Sequence, residues 1–90
     1  MSDFNSALNY YLKALKGFEQ TKNKKGQSYC YQNIAECYIE LNRYSSAIQY
    51  INRSIILKKE MNDTRGLGNA EQSLGRIYLG LEEHEKALSH

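Results

Sequence analysis

The chain repeats itself every 40 residues. Displaced by that interval, Phe4 falls on Tyr44 and His84, Ala7 on Ala47 and Ala87, and Leu8 on Ile48 and Leu88. Gly26 falls on Gly66, Ile34 on Leu74, Ala35 on Gly75, Tyr38 on Tyr78, and Leu41 on Leu81. A fixed period of this size marks a stacked-repeat architecture, in which each unit buries its apolar face against the next. Such a fold presents an extended surface to other molecules. The period therefore shifts the expectation from catalysis towards binding.

Within each period apolar residues recur at steps of three and four, which places them on one face of a helix. A first helix is predicted over about 3–20, with Phe4, Ala7, Leu8, Tyr11, Leu12, Ala14, Leu15 and Phe18 on its apolar face and Asp3 as N-cap. A second runs over about 24–41, with Tyr31, Ile34, Ala35, Tyr38 and Leu41 inward, and Asn42 placed to end it in the left-handed conformation. A third, over 44–60, buries Tyr44, Ala47, Ile48, Ile51, Ser54 and Ile55. A fourth, over 64–81, is capped by Asp63 or Thr64 and turns Leu67, Leu74, Gly75, Ile77, Tyr78 and Leu81 inward. Glu82 and Glu83 are expected to make a turn, after which residues 84–90 open a fifth helix. Connections this short force neighbouring helices antiparallel. Ala7, Ala35, Ala47, Gly75 and Ala87 leave room for the bulk of Phe4, Tyr38, Tyr44 and Tyr78, which is how helices interlock at close range.

Composition narrows the function classes. At 90 residues with 41% hydrophobic and 24% charged content, the chain is one folded unit or a piece of a larger one. Proline, the strongest interior helix breaker, is absent. A net charge of +2 is too small to argue for nucleic acid. No apolar run approaches the ~20 residues of a membrane span, and the first residues lack a signal-peptide pattern, so a cytoplasmic location is expected. Cys30 and Cys37 lie about 10.5 Å apart along a helix, too far for a disulfide, and read as small buried apolar residues rather than metal ligands. No catalytic set, phosphate loop or metal spacing appears, so neither an enzyme nor a cofactor is expected. His84 replaces an aromatic at a packing position and reads as a core or boundary residue; His90, the last residue, is left out of any site.

These residues resemble the tetratricopeptide repeat family. The match rests on a small residue followed by an aromatic three later (Ala35 with Tyr38, Gly75 with Tyr78), and on an aromatic followed by alanine (Phe4 with Ala7, Tyr44 with Ala47). A further small residue follows at Ala14 and Ser54. The family's standard unit is 34 residues. The longer period here resembles the extended subclass found in bacterial peptide-sensing and transcription regulators, in sensor kinases and in kinesin light chain. The implied fold is all-α, a right-handed superhelical solenoid of antiparallel helix pairs. In that frame, 3–20 is the second helix of a preceding repeat, 24–61 a complete repeat and 64–90 a partial one. Arg43 and Glu83 stand where the family usually places a capping Asp, which implies weaker helix starts there.

The resemblance also implies a site. The first helix of each pair lines the concave face, which here carries Tyr29, Gln32, Asn33, Glu36 and Glu40, then Asn69, Gln72, Ser73, Arg76 and Gly80. Amides can both donate to and accept from the main chain of an extended peptide. Asn33 matches an asparagine that contacts ligand backbone in the extended subclass; Ser73 holds that place in the next repeat. The same stripe also fits an ordinary solvated helix face. Chaperone-binding members clamp a C-terminal carboxylate with Lys, Asn and Arg, but Gln32, Glu36, Gln72 and Arg76 stand at the matching positions. Glu36 would repel such a ligand.

Charges divide between the two sets of turns: Lys22, Lys24, Lys25, Lys58, Lys59 and Arg65 at one edge, Glu40, Glu82, Glu83 and Glu85 at the other. Solubility accounts for this better than an acidic partner does. The chain begins on a second helix and stops early in another, which implies a piece of a longer protein. Phe4, Leu8, Tyr11, Leu15 and Tyr78 or Leu81 are then left partly bare, so the chain is expected to self-associate end to end or by exchanging terminal helices. The leading expectation is a module that binds a protein or peptide within a bacterial-type regulator. The alternative is a structural or oligomerisation array with no dedicated ligand.

Overall fold

The computed structural model describes residues 3–89. Met1, Ser2 and His90, with what the sequence suggests of each, lie outside the described residues. The chain forms α1 (Phe4–Gln20), α2 (Lys24–Glu40), α3 (Tyr44–Glu60) and α4 (Thr64–Ser89), with no strand among the described residues. Among the described residues no helix is long and apolar enough to cross a membrane.

Three turns recur at intervals of 20 residues, and each is made the same way. Lys22, Asn42 and Asn62 take positive φ of 56°, 59° and 56°. Around each, two backbone bonds close a Schellman motif: Asn23 N–H donates to Phe18 O and Lys22 N–H to Glu19 O, with the same pairs at Arg43/Tyr38, Asn42/Ile39, Asp63/Lys58 and Asn62/Lys59. The residue after each left-handed one then starts the next helix. Asn23 and Asp63 accept from the amides of Gly26 and Gly66 at 2.9 Å, as Asp3 accepts from Ser6 at 3.1 Å. Hydrogen bonds from the Ser6 hydroxyl and amide hold the Asp3 carboxyl below its ordinary pKa. Arg43, at the same place before α3, makes no side-chain cap. Arg43→Asp is therefore expected to stabilise the fold by about 1 kcal/mol; a thermal melt with no upward shift would contradict this.

The fifth helix does not form. Glu82, in the place of Asn42 and Asn62, stays helical, and α4 runs straight through to Ser89. Glutamate is a good helix former with no preference for the left-handed region. Its carboxylate pairs with Lys86 at 3.3 Å, one turn on. His84, Ala87 and Leu88 are exposed in consequence.

The core falls into two joined clusters. Leu15 of α1 packs with Cys30 and Ile34 of α2. Ala35 and Ile39 of α2, Ala47 and Ile51 of α3, and Ala70 and Ile77 of α4 form the second. Tyr38 and Tyr50, stacked at 5.7 Å between ring centroids, border both. Between α2 and α3 the Ser54 hydroxyl donates to Ser28 O at 3.2 Å, so the small residue at that position also satisfies a buried polar group. Leu15 is buried rather than bare, because α2 alone suffices to cover it. The expectation that Gly75 and Tyr78 point inward fails. Both are exposed, since the helix that would cover them has become the end of α4. Burial pushes the Cys30 and Cys37 thiols up, which keeps both protonated and unreactive.

Candidate functional site

Residues 40 apart on α2 and α4 face one another because the two helices belong to successive units of one stack. The facing stripes enclose a shallow cleft of about 330 Å³ lined by Gln32, Asn33 and Glu36 from α2 and by Asn69, Gln72, Ser73 and Arg76 from α4. Seven of the ten stripe residues thus come together, while Glu40 and Gly80 lie outside the cleft, beside Tyr44 and Leu79. Tyr29 lies outside it, against α1, with its ring edge-on to Tyr11 at 6.0 Å.

The floor of the cleft is a closed polar network. Gln32 Nε2 donates to Ser73 Oγ at 2.7 Å and to Glu36 Oε1 at 3.3 Å. Ser73 Oγ donates to Glu36 Oε1 at 2.5 Å. Arg76 spans the two helices, donating to Glu36 Oε2 at 3.1 Å and to Glu40 Oε1 at 2.5 Å. Those two carboxylates, Glu40 foremost, raise the guanidinium pKa further above its ordinary value. An anionic peptide terminus would have to displace two carboxylates, those of Glu36 and Glu40, from Arg76.

Lys58 is the participant the sequence did not reveal. Expected on the basic edge, it is instead 5% exposed, with its Nζ donating to Gln32 Oε1 at 2.6 Å. Burial pushes its ammonium below the usual lysine range, partly offset by Asp63 and Glu36. Its register mate is Phe18, a core residue, and that equivalence is the one sign of burial the sequence carried. With Lys58 removed and Glu60 paired to Lys24 at 3.1 Å, the basic edge is a mixed one.

Gln32 is therefore structural: both ends of its amide are committed within the chain. Asn33 donates to Tyr29 O at 2.8 Å and keeps its carbonyl oxygen for other use. The side chains of Asn69 and Gln72 make no hydrogen bond within the described residues. The cleft thus offers three amides above a locked ionic floor. Among the described residues no group of three or more His, Cys, Asp or Glu could hold a metal.

The Tetratricopeptide repeat family model matches residues 1–60, and the chain belongs to that family. Repeats of this family mediate protein–protein interaction and are typically non-catalytic. No curated protein and no solved structure shows a significant match to the chain.

Proposed function

We propose that the α2–α4 cleft binds an extended peptide segment of a protein partner, within a larger signalling or transcription regulator of the bacterial type. The observation that carries this reading is the division of labour in the stripe. Gln32, Ser73, Glu36 and Arg76 hold one another, while Asn33, Asn69 and Gln72 stand above them with amide groups to spare. A peptide main chain needs such paired donors and acceptors, and it meets here a surface already fixed in place.

The test starts from a displayed library of random peptides selected on the wild-type chain. The selected peptide is then titrated into the triple variant Asn33→Ala, Asn69→Ala, Gln72→Ala. Three lost hydrogen bonds at about 1 kcal/mol each should weaken binding ~100-fold. The thermal midpoint should stay unchanged, because none of the three amides bridges helices. Equal binding by variant and wild type would refute the reading. A second reading, an array that serves assembly, is favoured by the uncovered face of α4.

A further inference from the structure

Two uncovered features lie at opposite ends of the stack. On α4, Tyr78 and Leu79 are 58% and 57% exposed. Their register mates on α2 are packed: Tyr38 stacks on Tyr50, and Ile39, 6% exposed, sits in the cluster of Ala47, Ile51 and Ile77, with Tyr44 beside it. Between α1 and α2, in turn, lies an open cavity of about 250 Å³ lined by Phe4, Ala7, Tyr11 and Cys37, with Asn33, Glu36 and Glu40 at its rim.

The period relates the two. Phe4, Ala7, Tyr11 and Cys37 are the register mates of Tyr44, Ala47, Ile51 and Ile77. Ala47, Ile51 and Ile77 share one buried cluster with Ile39, and Tyr44 packs against that cluster. The cavity is therefore the empty counterpart of the seat that Ile39 fills, and Leu79 is the unseated counterpart of Ile39. We propose that a second copy of the chain docks end to end, its α4 placing Leu79 into the cavity between α1 and α2 of the first.

The polar residues agree with this register. In the chain itself Glu36 of α2 pairs with Arg76 of α4. In the docked pair Arg76 of one copy takes the place of Glu36, and Glu36 of the other takes the place of Arg76. The opposite charges meet again with their order reversed. Gln72 comes to face Asn33 of the other copy, as Gln32 faces Ser73 within one chain. No helix need leave its place, since α1 stays bound to α2 through Leu15, Cys30 and Ile34. That favours docking over exchange of terminal helices. The contact joins unlike surfaces and so can continue beyond two copies, lengthening the α2–α4 stripe. It goes beyond the peptide-binding reading and stands independently of it.

Sedimentation equilibrium from about 10 μM to about 1 mM, the range in which a small interface associates, tests the proposal. The wild-type mass should rise above 10.4 kDa with concentration. Ala7→Arg fills the cavity, and Leu79→Asp removes the apolar knob. Each variant alone should stay at 10.4 kDa, and their equimolar mixture should form a dimer and nothing larger, since one free knob and one free cavity remain. Unlabelled wild type added to isotopically labelled Leu79→Asp chain should shift the NMR signals of Ala7, Tyr11 and Cys37, an arm that does not depend on Ala7→Arg folding. A monomeric wild type at every concentration, as expected if these faces instead seat other helices of a longer chain, overturns the proposal. So do single variants that still associate, or a mixture that forms no dimer.

Discussion

Ile51→Ala should lower the stability of the fold by about 2–5 kcal/mol, the cost of emptying a fully buried aliphatic site. Ile51 has no exposed surface and belongs to the cluster that α2, α3 and α4 share. The void would thus open where three helices meet rather than between two. A chain of 90 residues has a total stability of about 5–13 kcal/mol, so the loss takes a large part of it. At about 4–8 °C per kcal/mol, the thermal midpoint should fall by at least ~8 °C. Ile56, on the same helix and 58% exposed, supplies the control. Ile56→Ala should stay within about 0.5 kcal/mol of wild type. Comparable losses in the two variants, followed by helix circular dichroism on heating, would refute the shared core.

Gly26→Ala should destabilise the fold by about 1–3 kcal/mol, against the direction that helix propensity dictates. Gly26 lies in the first turn of α2 with an ordinary helical φ, so conformational freedom is not what the position requires. Space is. A methyl group there would run into one edge of the Phe18 ring, at Cγ, Cδ1 and Cε1. Gly68, also helical, has open space where a methyl group would sit, with no neighbour within 4 Å, so Gly68→Ala should stabilise by about 1 kcal/mol. Urea unfolding of both variants separates packing from propensity. A gain at both positions would show that the α1–α2 approach is looser than described.

The contrast between these two glycines shows what the sequence disclosed. Gly26 and Gly66 stand out in the 40-residue alignment, whereas the reason for Gly26, the Phe18 ring of α1 overhead, is a property of the packed pair. The helix limits were legible where Asn42 favours the left-handed region and Asp3 and Asp63 favour caps. Lys22 makes the same turn without advertising it. At 82 the alignment of His84, Ala87 and Leu88 with earlier repeats pointed to another hairpin, but local chemistry prevailed. Glu82 extends a helix more readily than it reverses one. The burial of Lys58 was hidden because a lysine near a helix end ordinarily reaches water, and only its equivalence to Phe18 said otherwise. The stripe of site residues was legible as a stripe. Its division into locked and free members was not, because that depends on which side chains meet across α2 and α4. The opposite charges of Glu36 and Arg76, one period apart, were the available clue.

All of this requires successive units to stack in register, so that residues one period apart on α2 and α4 touch. The most direct measurement is a nuclear Overhauser contact between the side-chain amide of Gln32 and the β-protons of Ser73, 41 residues away in sequence, in isotopically labelled chain. A clear cross-peak is the expected result. Four intact helices without that cross-peak would contradict the stacking on which both the cleft and the end-to-end contact rest.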